Sequence, residues 1–360
     1  MTGDELRTGR ALSRVLIVVV TIVVLSGGLA GCGRLASGVE ITELPSGNAP
    51  SEINIGRQIA PRGLIVAGSK AYAVARAEKG FDVIEVSLSD GKTRVLAETT
   101  AQEVAVSRDG SLLAFATLSD WYEPCEVRIL DLETGDSRKL TDTTGSSRGV
   151  DFAPDGESLV FASLEGLVAL GLDGSDRKLL VEGRAGGEST VLQWVPKWSP
   201  DGARVAYAVT YYEGSGPISV VDVSSGVAQK VTFPDDMDAH WSPDGKSILY
   251  TNEGYDSDHS DVCLVDLTET EPQSRVITDS VGFHRGLAWS PDGRCVLIER
   301  LPSPHESSER EVKLLIYDLE KGELRELPVT SPVSAMTATW GGDGFIYYAT
   351  DDGKLMRIEP

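Results

Sequence analysis

"WSPDGKSILY", residues 241–250, holds a tryptophan, a Ser-Pro-Asp-Gly turn and a short apolar run, and nearly the same phrase stands at 198–207 ("WSPDGARVAY") and 289–298 ("WSPDGRCVLI"). Related turns are "SRDG" (107–110), "APDG" (153–156) and "GGDG" (341–344), and "VAGSKAYAVA" (66–75) is a degenerate copy. Their glycines are Gly68, Gly110, Gly156, Gly202, Gly245, Gly293 and Gly344, seven copies at steps of 42 to 51 residues. Self-similarity at such a period marks a repeat architecture and has to be read before any catalytic motif.

The turn chemistry is local and legible. Serine first, proline second and glycine fourth are type I turn preferences. Proline fixes φ before the reversal, and glycine accepts the left-handed conformation that leads into the next strand. The runs that follow, such as "LLAFAT", "SLVFAS", "SILYTN" and "FIYYAT", are short and apolar throughout, as strands buried on both faces are. Each unit continues through a polar loop to a third strand, for example "EVRILDL" (126–132) or "VCLVDL" (262–267). A second turn and a fourth strand complete it. Four antiparallel strands per unit predict a β-propeller: an all-β fold of seven four-stranded blades, with no convincing helical period after Cys32.

Trp-Ser-Pro-Asp-Gly before a strand, with a later Val-Asp-Leu strand, resembles the TolB-type propeller repeat of the WD40-like group. The resemblance covers residues 61–360. The Gly-His and Trp-Asp signatures of eukaryotic WD repeats are missing. TolB-type proteins also carry an N-terminal α/β domain, for which the stretch between Cys32 and the first blade is too short. The repeat therefore speaks for fold and hardly for function.

The last unit reaches Pro360 after three strands. An N-terminal strand is expected to complete it and remove an open edge. "GVEITEL" (38–44) alternates polar and apolar residues and is the segment expected there, within a tether of residues 32–60. The alternative is a plain linker, which the composition of 46–51 suits.

The start of the chain reads as an export signal. Arg7, Arg10 and Arg14 precede the uncharged run "VLIVVVTIVVL" (15–25), and small residues follow. Leu29-Ala30-Gly31-Cys32 resembles the lipobox of bacterial lipoproteins, which implies a signal peptide over 1–31, cleavage before Cys32 and lipidation of its thiol. An uncleaved anchor helix is the alternative, since 15–33 is just long enough to span a bilayer. Either way the remainder is expected on the extracytoplasmic side, lipid- or helix-anchored, because the arginines stay inside.

Of 360 residues 33 are Lys or Arg and 55 Asp or Glu, a net charge of −22. This argues against nucleic acid, whose phosphates need a basic face, and against electrostatic docking on anionic lipid, so attachment falls to the N-terminal lipid. Solubility alone also accounts for the acidity. After Cys32 come Cys125, Cys263 and Cys295, an odd number without CxxC spacing. They read as small buried hydrophobes, with a single disulfide as the alternative.

Trp198, Trp241, Trp289 and Trp340 recur with the repeat and so are expected to pack between blades. Function is expected where the units differ. In a propeller the connections from second to third strand, and from fourth strand to the next blade, share one face, and the Pro-Asp-Gly turns lie on the other. The variable loops offer Trp121, Tyr122, Tyr211, Tyr212, Glu213 and Tyr255 as candidate ligand-binding residues, because amphipathic aromatics on rigid scaffolds suit recognition. "YDSDHSD" (255–261) has alternating oxygen donors, Asp256, Asp258 and Asp261, that Ca²⁺ would accept, although a solvated acidic loop explains them as well. His240, His259, His284 and His305 share two units without ligand spacing. Some TolB-like propellers are metal-dependent sugar-acid lyases, so this grouping keeps that chemistry open. No Gly-x-Ser-x-Gly elbow, His-Glu-x-x-His or phosphate loop occurs. The propellers of prolyl-oligopeptidase relatives resemble the repeat, but their hydrolase domain is not in this sequence.

Two function classes follow. The first is a monomeric, non-catalytic binding scaffold without cofactor, taking a protein, peptide or envelope glycan on its loop face. The second is an enzyme using the central funnel, foremost metal-assisted polysaccharide lysis.

Overall fold

The computed structural model describes residues 52–360 except 102, 118–124, 144–148, 164, 184–194, 209, 212–213, 235, 253–258, 270, 279–282, 302–311 and 330–331. Seven four-stranded antiparallel sheets follow one another along the chain, and the described residues contain no helix. The fold is a seven-bladed β-propeller. In blade 5 the strands are Asp236–Trp241, Ser247–Asn252, Asp261–Asp266 and Gln273–Val276, paired in that order. The other blades repeat this plan.

The apolar runs after the turns form the second strands, and they are buried nearly throughout, as in Ser158–Ser163 and Ile346–Ala349. Fourth strands such as Gln273–Val276 are exposed. Seven apolar clusters hold the ring, and each draws its members from two adjacent blades. One joins blade 7 to blade 1 through Tyr347, Leu355, Ile59 and Ile84, so the circle is closed by packing. Cys263 is a free buried thiol of the blade 4–5 cluster, as a small buried hydrophobe would be, whereas Cys295, buried between blades 6 and 7, is disulfide-bonded.

The repeated turn is stabilised by its own side chains. Each glycine N–H donates to the carbonyl three residues back, as Gly202 does to Ser199 O at 2.9 Å. All six turn glycines from Gly110 to Gly344 have φ between 69° and 89°. Ser199 Oγ donates to Asp201 Oδ1 at 2.5 Å and accepts the N–H of Arg204 at 2.9 Å. Ser107, Ser242 and Ser290 make the same pair of bonds, and all four serines are buried. These bonds hold Asp109, Asp201 and Asp244 below the usual carboxylate range, the serine hydroxyl being the largest cause.

Blade 7 supplies three strands, Thr339–Trp340, Ile346–Ala349 and Lys354–Ile358. Its fourth, outermost strand is Glu52–Asn54, with Ile53 opposite Leu355. Closure by the N-terminus is thus as expected, but the closing segment is 52–54. The alternating 38–44 lies outside the described residues. Three residues suffice because Ile53 is buried against Tyr347 and Leu355, and the Ile55 and Gly56 N–H groups both donate to Gly353 O at 2.9 Å. Glu52–Asn54 runs from the turn face toward the loop face, so the chain preceding Glu52 joins the propeller at its turn face.

Candidate functional site

Each inner strand begins at the loop face and ends in the repeated turn. Together these strands enclose a channel of about 580 Å³. Trp198, Trp241, Trp289 and Trp340 line it, as do Pro200, Pro243 and Pro291 from the turns. The tryptophans pack between blades, as their period implies, and also form the channel wall. Trp241 Nε1 donates to Lys197 O and Trp289 Nε1 to His240 O, both 3.0 Å away in the preceding blade. The Arg204 guanidinium of blade 4 lies 4.9 Å from the Trp241 ring centre. A large ring fills this position, and in blades 5 and 6 its N–H also ties one blade to the preceding one.

The residue before the aromatic varies: Asp151, Lys197 and His240 occupy it in blades 3, 4 and 5. Asp151 Oδ2 accepts the Trp198 N–H at 2.7 Å, and burial raises its carboxyl above the ordinary range despite nearby Lys197. Burial pushes the His240 imidazole down to about 4, against the pull of Asp238, so the ring is neutral at pH 7.

The loop-face mouth of the channel carries charge on bulged strands. Register slips between Ile59 and Leu64, between Met237 and His240 and between Gly286 and Ala288. Arg62, Asp238 and Met336 have φ near +60°, three of the four described non-glycine residues in the left-handed region. Such strained positions gather at functional sites, and bulges re-aim side chains. Arg62 makes an ion pair with Asp238, and its Nη1 lies 3.8 Å from Glu103. Glu299 is fully buried beside them, its Oε2 accepting the Met336 N–H at 2.7 Å, and burial raises its carboxyl.

The sequence gives little warning of this cluster. Repeat alignment treats these strands as wall, and the bulges shift Arg62 and Asp238 out of the alternation that would expose them. The available signal is charge inside inner strands, in "PRG" (61–63) and "MDAHW" (237–241). A second missed residue is Phe233, three-quarters exposed where blade 4 leads to blade 5 on the loop face.

Most residues expected to bind ligand lie outside the described residues: Trp121, Tyr122, Tyr212, Glu213, Tyr255, Asp256 and Asp258. The Tyr211 backbone belongs to a small hairpin, pairing with Gly214 beside Thr210 and Ser215. Asp261 opens the third strand of blade 5. Its Oδ1 accepts the Thr278 hydroxyl at 2.7 Å and its Oδ2 lies 3.9 Å from His259 Nε2. His284 is buried at the start of blade 6 and His240 faces the channel, while His305 lies outside the described residues. Among the described residues no three His, Cys, Asp or Glu side chains are arranged to hold a metal.

No family model matches the chain. Solved structures do. The chain is 17% identical to TolB from Acinetobacter baumannii, over 75% of this chain and 67% of that one, with a TM-score of 0.50. It is 14% identical to an oligogalacturonate lyase in complex with manganese, over 86% and 90%, TM-score 0.59. It is 13% identical to the β-propeller domain of Cps50 (Swd1) from Myceliophteria thermophila, over 84% and 98%, TM-score 0.59. At these identities the likeness is one of fold: the chain is a seven-bladed β-propeller. These neighbours differ widely in function.

Proposed function

We propose that the chain is exported, processed before Cys32 and held by lipid on the extracytoplasmic side of a membrane, and that its propeller is a non-catalytic scaffold binding a protein, peptide or envelope glycan on the loop face. The observation that carries this reading is the difference between the two faces. The turn face is a ring of near-identical turns whose serine and aspartate groups are spent on one another. The loop face carries the channel mouth with its left-handed Arg62, Asp238 and Met336, the exposed Phe233 and the hairpin of Tyr211.

The chain direction fits this arrangement. Glu52–Asn54 starts from the turn face, so an anchor on that side leaves the loop face free. About 20 residues of tether extend at most roughly 70 Å. Tyr211, Tyr212, Tyr255, Trp121 and Tyr122 are the aromatic anchors of the proposal, since a few large amphipathic side chains dominate interface energy. Cross-linking in the native envelope, followed by identification of what the protein captures, tests it. Recovery of one specific partner is expected, and recovery of none contradicts the scaffold. Calorimetry with Mn²⁺, Ca²⁺ and Zn²⁺ separates the lyase reading, which requires a metal held tightly in the funnel.

A further inference from the structure

One side chain crosses the mouth of the channel. In blade 1, Ile59 pairs with Ala75 and Leu64 with Ala73, so residues 60–63 of the inner strand stand opposite Val74 alone. Arg62 lies in this bulge at φ 60°, and its N–H donates to Met336 O at 2.7 Å. Its neighbour Gly63 is required, because a Cβ there would stand 2.9 Å from Ala60 O. The guanidinium pairs with Asp238 of blade 5, whose side chain is 7% exposed against 37% for Arg62. Blades 1 and 5 are not neighbours, and among the described residues this is the only ion pair joining blades that do not touch in sequence around the ring. Behind it, Glu299 Oε1 is fully buried and has no hydrogen-bond partner.

We infer that Asp238, Glu103 and Glu299 form a receptor for a guanidinium or ammonium group, the basic side chain of a peptide, and that Arg62 occupies it as an internal guest when no ligand is bound. The charge arithmetic supports this. With Arg62 withdrawn, the three acidic groups keep Arg285 near Glu299 and Lys197 on the same channel wall, and an incoming cation replaces what Arg62 supplied. Asp238 is the enclosed partner, whereas Arg62 is more exposed and projects from a bulge that lies outside the pairing of the inner strand with its neighbour. Trp289 and Trp340 line the same channel, and aromatic rings attract a cationic side chain. Arginine suits the site because its planar fork pairs bidentately with carboxylates. The inference rests on the loop face being the binding face, but it uses none of the loop aromatics.

The probe is acetyl-Gly-Arg-Gly-amide, with the neutral citrulline peptide as control, titrated at low ionic strength by NMR. Arg62→Ala and the more conservative Arg62→Gln should each bind the arginine peptide at least tenfold more tightly than the native chain. Adding Asp238→Asn should abolish that gain, and the citrulline peptide should not bind. Melting curves identify which Arg62 variant is folded and used. Equal binding by native and Arg62 variants, retention of the gain in Asp238→Asn, or equal binding of citrulline would each overturn the inference. None of these outcomes touches capture of a partner by the loop aromatics, which is measured separately in the envelope.

Discussion

Ring closure by Glu52–Asn54 makes a quantitative prediction. Ile53 is buried among Ile59, Leu64, Leu88, Tyr347 and Leu355, where the first blade meets the last. Ile53→Ala removes three carbons from this contact, and comparable core truncations cost 2–5 kcal/mol, so about 3 kcal/mol is expected. The unfolding entropy of a domain of roughly 300 residues is about 0.6 kcal/mol per kelvin, which converts that loss into about 5 °C of melting temperature. Ile41→Ala, in the alternating segment 38–44, should leave the melt unchanged, as should a chain beginning at Ser46. A chain beginning at Gly56 loses the strand altogether and should fall further than Ile53→Ala. Thermal unfolding followed by circular dichroism measures all four. An unchanged Ile53→Ala beside a destabilised Ile41→Ala would refute closure by 52–54.

Other expectations concern single groups. Ser199→Ala or Ser242→Ala removes a buried hydroxyl that both donates and accepts, and should cost about 1–2 kcal/mol in urea unfolding. Blade 3, which carries Ala153 at this position, should tolerate Ala153→Gly with a smaller loss. His240 is depressed from 6.5 to about 4 by burial, so the unfolded chain binds a proton first as pH falls. Stability from this group is therefore full above about pH 6.5 and lost toward pH 4. The loss is at most about 3 kcal/mol, less because one side of the ring faces the open channel, and His240→Asn should flatten denaturation midpoints across that window. Cys32→Ser should leave an unprocessed precursor that takes up no lipid label, and normal maturation of that variant would contradict lipid anchoring.

The propeller was legible because the Ser-Pro-Asp-Gly turn is a local device. Its serine, proline and glycine each satisfy a requirement within six residues, so the phrase survives in sequence wherever the turn survives in space. The tryptophans were legible for a related reason: each packs in an apolar cluster shared by two adjacent blades, and that packing recurs with the blade. The closing strand was legible in kind and misplaced in sequence. "EIN" is too short to show alternation, and its strand character comes from the edge of Lys354–Ile358 that it covers. The channel mouth was not legible, because Arg62 and Asp238 meet only through bulges in strands 176 residues apart. Nothing in the neighbourhood of either residue marks the other. Phe233 was passed over because a single phenylalanine beside Pro234 reads as an ordinary turn flank.

The central claim, that the loop face is the binding face, is tested most directly by a photo-crosslinking amino acid placed at position 233 or 211 and, for comparison, at position 246 beside a repeated turn. Irradiation in intact cells should produce a discrete adduct, the same from 233 and from 211, and none from 246. A specific adduct from position 246, with positions 233 and 211 silent, would mean that the propeller presents its turn face to its partner.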